Sequence, residues 1–251
     1  MKSLKLATVG TVLFSTLLLS GVGHVSAAPG PIPANRDTNA QVKFVEDESP
    51  TDPTDPTDPD PEKPVDPVDP TDPEKPVDPG TAGPLSIDFA SPLYFGEQKI
   101  STVDKVYTAD AQPLSDSTTR PNYVQVTDKR GGEQGWTLQV KQDGQFATAD
   151  DNELVGASIT FANGEAITGS ASAIPSILTT GFSLVPDGTG AAQVVMAAKA
   201  GEGAGTQIYR AGDDATKASS ISLSVPGKTI KYQDTYTTSL TWTLTDVPGA
   251  E

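Results

Sequence analysis

Gly135-Trp136-Thr137-Leu138-Gln139-Val140-Lys141 and Ser239-Leu240-Thr241-Trp242-Thr243-Leu244 contain the chain's two tryptophans, each followed two positions later by a leucine. In an extended strand residues i and i+2 share a face, so each Trp and its Leu point the same way, with Val140 or Leu240 extending that face and Thr or Gln opposite. The same period of two runs outward from both stretches. Leu85, Ile87 and Phe89 alternate with Ser86 and Asp88, and Val124 and Val126 alternate with Tyr123, Gln125 and Thr127. Further alternating runs cover 157–161, 221–225 and 236–244, and turn signals separate them at Asp143-Gly144, Asn163-Gly164, Pro186-Asp187-Gly188 and Pro226-Gly227. Only 191–200 fits a helix as readily as a strand. Residues 84–251 are therefore expected to form one all-β domain, an antiparallel β-sandwich or a related barrel.

Composition excludes much chemistry. The 251 residues include no cysteine and one histidine, His24, in a stretch that reads as a removable leader. A chain without them has no disulfide frame, thiolate nucleophile or zinc ribbon, and runs no Ser-His or Cys-His mechanism. The formal net charge of −16 repels nucleic acid and anionic membrane surfaces.

Residues 1–27 carry Lys2 and Lys5, a short apolar core interrupted by Ser15, Thr16 and Ser20, and then Val25-Ser26-Ala27, small at the positions a signal peptidase reads. The reading is a secretory signal rather than a membrane anchor, and its removal takes the net charge from −16 to −18. No cysteine follows for lipid attachment, and 245–251 has neither an LPxTG-type sorting motif nor an apolar tail, so retention on a cell is expected to be noncovalent. Residues 28–50 read as a disordered polar tail. From Thr51 to Pro79 ten prolines recur nearly every third residue, and Glu-Lys-Pro-Val-Asp-Pro occurs at 62–67 and again at 74–79. This segment, 51–83, reads as a charged polyproline II linker, of which 51–79 alone reaches on the order of 90 Å at ~3.1 Å per residue.

Two roles fit the Trp-x-Leu faces: core, or a platform for sugar rings or a protein partner. An exposed Trp-Leu-Leu patch invites aggregation, which favours core on physical grounds. The order of the motifs adds something. The stretch from Tyr232 through Tyr236-Thr237-Thr238-Ser239-Leu240-Thr241-Trp242-Thr243-Leu244 to Pro248 resembles the distal motif of the WxL domain family of surface proteins from low-GC Gram-positive bacteria. Val124-Gln125-Val126-Thr127-Asp128-Lys129-Arg130-Gly131, followed by Gly135-Trp136-Thr137-Leu138-Gln139-Val140, is similar to its proximal motif. Leu154-Val155-Gly156-Ala157 and Gly201-Glu202-Gly203-Ala204-Gly205-Thr206 also match, whereas Gln207-Ile208 departs from it where a bulky aromatic is expected. The resemblance implies noncovalent attachment to peptidoglycan, assembly with companion surface proteins, no catalytic activity and no cofactor. With no large domain ahead of it, the chain reads as a minimal member, anchor plus stalk, outside the wall. The binding motif, or core, is Trp136, Leu138, Leu240, Trp242 and Leu244. The alternative is a structural subunit of a surface complex that meets the wall only indirectly.

Other clusters carry weaker chemistry. Asp143, Asp150, Asp151 and Glu153 admit a paired-carboxylate glycosidase or a weak Ca²⁺ loop, but the spacing matches no EF-hand and the residues suit a solvated turn. Gly201-x-Gly203-x-Gly205 is not a dinucleotide fingerprint. Asp128, Lys129 and Arg130 read as a hairpin loop whose cations could meet a wall carboxylate. At −18 the chain gains nothing from bulk attraction to an anionic wall, so binding is expected to survive added salt.

Overall fold

The computed structural model describes Gly30 and residues 35–249 of the chain. The expected signal peptide lies outside the described residues. Two units separate, Met1–Val42 and Lys43–Glu251. In the first, 35–42 is exposed and without regular structure. The second holds every strand found among the described residues.

The strands are β1 (Leu85–Ala90), β2 (Lys105–Thr108), β3 (Gln112–Pro113), β4 (Thr119–Arg120), β5 (Asn122–Asp128), β6 (Trp136–Gln142) and β7 (Ser158–Phe161). They continue as β8 (Gly164–Thr168), β9 (Ile177–Leu178), β10 (Phe182–Ser183), β11 (Gln193–Ala198), β12 (Gly205–Ala211), β13 (Ile221–Val225) and β14 (Leu240–Thr245). All pairings are antiparallel, in three four-stranded sheets ordered β1-β5-β12-β8, β10-β7-β13-β2 and β14-β6-β11-β9, with β3-β4 as a two-stranded ribbon. The expected all-β antiparallel architecture is the one observed, and the ambiguous 191–200 stretch supplies strand β11.

One core joins the three sheets. Val124, Val126 and Tyr209 come from the first, Ile159, Phe161, Ile221 and Leu223 from the second, and Trp136, Leu138, Val140, Val195 and Met196 from the third. β6 shows why these residues form a strand facing that core, since its burial alternates residue by residue with Trp136, Leu138 and Val140 inside. β5 breaks the alternation, because all seven of its residues are buried. Its inward side meets the main core, while Tyr123 packs on the other face with Phe89 and Ile208 in a second cluster.

What covers that second face is the proline-rich segment. It was expected to stand away as a polyproline II linker, and instead it folds against the sheet in a run of turns. Asp55-Pro56-Thr57-Asp58, Asp60-Pro61-Glu62-Lys63, Asp69-Pro70-Thr71-Asp72 and Asp72-Pro73-Glu74-Lys75 each close with a bond from the fourth N–H to the first carbonyl. The Asp55, Asp60 and Asp69 carboxylates also accept the N–H two residues on. Aspartate at the first turn position and proline at the second are the residues such turns favour, and this outweighs the extended preference of spaced prolines. Bridges Thr54↔Pro64 and Val68↔Pro76 fold each repeat back on the stretch before it, and Pro67↔Leu114 ties the segment to the domain. Asp55 pairs with Arg120 Nε at 2.8 Å, and Arg210 Nη1 donates to the Pro56 carbonyl at 3.0 Å.

The turn signals also act differently from the expected hairpins. Asp128–Gly131 leads from β5 in one sheet to β6 in another, and Asn163-Gly164 leads from β7 to β8 across two sheets. Among the described residues, no two consecutive strands are neighbours apart from β3 and β4.

Candidate functional site

The two Trp-x-Leu motifs come together as antiparallel neighbours. β6 pairs β14 with Leu138 opposite Leu244, Val140 opposite Trp242 and Gln142 opposite Leu240, so both apolar faces look to the same side. Their depths differ. β6 lies between β14 and β11, and Trp136 and Leu138 are wholly buried. The Trp136 indole N–H donates to the Gly203 carbonyl at 2.9 Å, which satisfies its one polar atom. Gly201, Gly203 and Gly205 all take positive φ, and a Cβ on Gly203 would lie 2.8 Å from that indole nitrogen. The glycine run therefore cradles a core tryptophan, and only glycine reaches this conformation without strain while leaving room for the ring.

β14 is the edge of the same sheet, and Leu240, Trp242 and Leu244 are half-buried. The Trp242 ring meets Phe161 edge-on with centroids 6.5 Å apart. Trp242 also lines a groove of about 1340 Å³ together with Leu240, the 91–100 loop, Tyr107 and the 231–238 stretch, and the same groove extends to 69–71, 77–81 and β1. Four of the chain's six tyrosines, Tyr94, Tyr107, Tyr232 and Tyr236, border this groove. Its walls are held in place. Phe95 packs edge-on against Phe146 at 6.2 Å, the Tyr94 carbonyl accepts the Asp110 N–H, and the Tyr236 hydroxyl accepts the Tyr232 N–H at 2.8 Å. Lys231 is spent on structure, its ammonium donating to the carbonyls of Pro226, Gly227 and Thr229.

This geometry suits a polymer with apolar ring faces. The volume exceeds the ~300–1,000 Å³ typical of small-molecule pockets. Half-exposed aromatic rings offer flat, electron-rich surfaces to sugar C–H groups, and the threonines and backbone around them supply hydrogen bonds. Sequence patterning picks out Trp242, Leu240 and, within the distal motif, Tyr232 and Tyr236, but not Tyr94, Phe95 or Tyr107: the first two lie in the irregular 91–104 segment, and Tyr107 on the short, mostly exposed strand β2. A concentration of tyrosine in 94–107 and 232–236 of an aromatic-poor chain was the available clue.

The 128–130 loop does something other than expected. Arg130 grips the buried Asp128 carboxylate through Nε at 3.0 Å and Nη2 at 2.7 Å, and also donates to the Gly135 carbonyl. Lys129 bonds the Asp47 carboxylate and the Ser49 carbonyl. The Ser49 N–H and hydroxyl, and after them Lys129, hold Asp47 at a pKa of about 2. The loop's cations are thus taken up within the chain, tying the start of β6 to β5 and to the segment before the proline repeats.

Of the acidic cluster, Asp143 accepts hydrogen bonds from Ser239 and Thr241, which fastens the start of β14 and keeps the Asp143 pKa below its ordinary value. Among the described residues no group of three or more His, Cys, Asp or Glu is placed to hold a metal ion. Nor is any helix among them long and apolar enough to cross a membrane.

A family model described as WxL domain surface cell wall-binding matches residues 33–248. The match begins ahead of the proline-rich segment and takes in the whole of it. Neither the curated proteins nor the solved structures yield a match.

Proposed function

The chain belongs to the WxL family of surface cell wall-binding domains, and from that premise we propose that its wall ligand is peptidoglycan, held noncovalently in the groove beside Trp242. The observation that supports this reading is the half-exposed tryptophan of an edge strand facing a groove bordered by four tyrosines. Trp136 and Leu138 buttress the site from behind by fixing β6, on which β14 is registered. Catalysis has no part in the reading, which rests on binding alone, outside the cell wall. The proline-rich segment serves as a strap on the domain in place of a stalk, so the anchor-plus-stalk role changes to that of a compact anchor.

A second reading has the domain meet companion surface proteins, with the wall contacted through them. Exposed apolar side chains favour it. Val106 on the edge strand β2 is 68% exposed, and Val103, Val155 and Ile230 stand out on segments tied to it, since Gly227 N–H bonds Asp104 and Thr229 bonds the Val155 carbonyl.

Sedimentation of the mature chain, from residue 28 onward, with sacculi stripped of protein and teichoic acid separates the two. The parent is expected to pellet, and Trp242→Ala and Tyr232→Ala, with thermal melts close to the parent's, are expected to stay in solution. A parent that stays in solution overturns direct peptidoglycan binding and leaves the protein-complex reading.

A further inference from the structure

Beneath the strap, on the outer face of the β1-β5-β12-β8 sheet, lies a polar group whose arrangement goes beyond anchoring. Thr54 is 1% exposed and Gln125 is wholly buried. The Thr54 N–H and hydroxyl both donate to Gln125 Oε1, at 2.7 and 2.9 Å. Gln125 Nε2 donates to Asp88 Oδ2 at 2.9 Å and to the Asp52 carbonyl at 3.0 Å. Asp88 is buried as well, and accepts from Ser86 at 2.7 Å and Thr127 at 2.6 Å. One carboxamide thus has a hydroxyl and a backbone N–H at its oxygen and a carboxyl group at its nitrogen, in a site closed to water. These are the parts of an acyl transfer: a nucleophile, a donor for the developing oxyanion, and a proton carrier beside the leaving group.

We propose that Thr54 and Gln125 react to form an intramolecular ester cross-link that staples the strap to strand β5. Thr54 Oγ1 attacks Gln125 Cδ, and the charge that develops on Oε1 is stabilised by the Thr54 N–H. As the Cδ–Nε2 bond breaks, Asp88 delivers a proton to the nitrogen, which leaves as ammonia. The proton given up by the Thr54 hydroxyl to the intermediate restores the acid. One hydroxyl and one carboxamide become one ester and one ammonia, with no oxidant, metal or nucleotide needed. Burial raises the Asp88 pKa against the hydrogen bonds from Ser86, Thr127 and Gln125 that lower it, which favours the neutral carboxyl this step requires. Fixing the two groups in contact replaces a bimolecular encounter, for which effective molarities reach about 10⁵–10⁸ M. The bond joins residues 71 apart in a chain that has no cysteine for a disulfide. It stands independently of what the groove binds.

Intact-mass spectrometry of the denatured mature chain is the test. The parent is expected to fall short of its sequence mass by one ammonia, and digestion is expected to yield a branched peptide joining the segments around Thr54 and Gln125. Thr54→Val and Asp88→Asn are expected to show full mass, and since the readout is taken on denatured protein it does not require either variant to be as stable as the parent. A parent at full sequence mass overturns the cross-link, as does a deficit that persists in Thr54→Val, because cyclisation elsewhere would then account for it.

Discussion

The two Trp-x-Leu strands carry the same three-residue motif in the same sheet and end in different places. In β6 the tryptophan is sealed in the core with its indole N–H bonded to Gly203, whereas in β14, one strand over, it is half-buried and borders the groove. The difference comes from strand position, since β6 has neighbours on both sides and β14 on one. A shared motif therefore specifies a shared face and register but assigns neither tryptophan a role; the next strand does that.

That contrast can be broken by experiment. Trp136→Ala is expected to cost about 3–5 kcal/mol, the range for emptying a buried aromatic site, and to unfold the domain or shift its melt far downward. Trp242→Ala is expected to cost less, about 1–2 kcal/mol in the same denaturation experiment, while abolishing sacculus binding, because part of its surface is already in water. Equal losses would mean that β14 is not an edge in solution. Gly203→Ala comes next, at about 2 kcal/mol, because its φ of +79° disfavours any side chain and the new methyl would press on Ala198 and Trp136.

Asp55→Asn tests the strap, at about 1 kcal/mol or less, read by hydrogen exchange at Val65 and Val68. Burial raises the Asp55 pKa, but the Thr57 hydroxyl and N–H and the Arg120 guanidinium outweigh it and leave the pKa below the ordinary 3.8. Asp55 therefore stabilises the fold above pH 3.8, and that contribution is lost as pH falls through its lower folded value. Asp88 works in the opposite sense: its raised pKa makes its contribution greatest in acid and smaller as pH rises through it. Asp55→Asn should remove Asp55's share of the acid-side loss and leave those of Asp47 and Asp143 and the Asp88 trend in place. The smallest effect expected is that of salt: pelleting with sacculi should be nearly unchanged between low and moderate ionic strength, since stacking on Trp242 and the tyrosines is not screened. A steep loss with salt would move recognition from the groove to charges.

Much of the fold was legible because a half-buried strand advertises itself by alternation. Leu85–Ala90, Trp136–Gln142 and Ile221–Val225 are strands where the period of two placed them. β14 is shorter than its alternating run, because Thr237 bridges Ala147 beyond the end of β6 and residues 236–238 border the groove. The strap was misread for a local reason. Proline every third residue suggests an extended helix, yet Asp-Pro-x-x is also a turn sequence, and the choice depended on Gln125 and Arg210 on the sheet and Arg120 on the β3-β4 ribbon. Tyr123, Gln125 and Thr127 read as an outward polar face for the same reason, since nothing in β5 announces that a distant segment will cover it.

By itself the sequence determined the elements, the common face of each Trp and its Leu, the absence of thiol and imidazole chemistry beyond His24, and the resemblance that the family match bears out. Tertiary structure alone decided which tryptophan is core and which lines the groove, where Asp128 and Arg130 spend their charge, and that Thr54 meets Gln125. These depend on pairings between strands far apart in the chain. Since consecutive strands almost never neighbour each other here, a local pattern can state which face a residue takes but not what it will face.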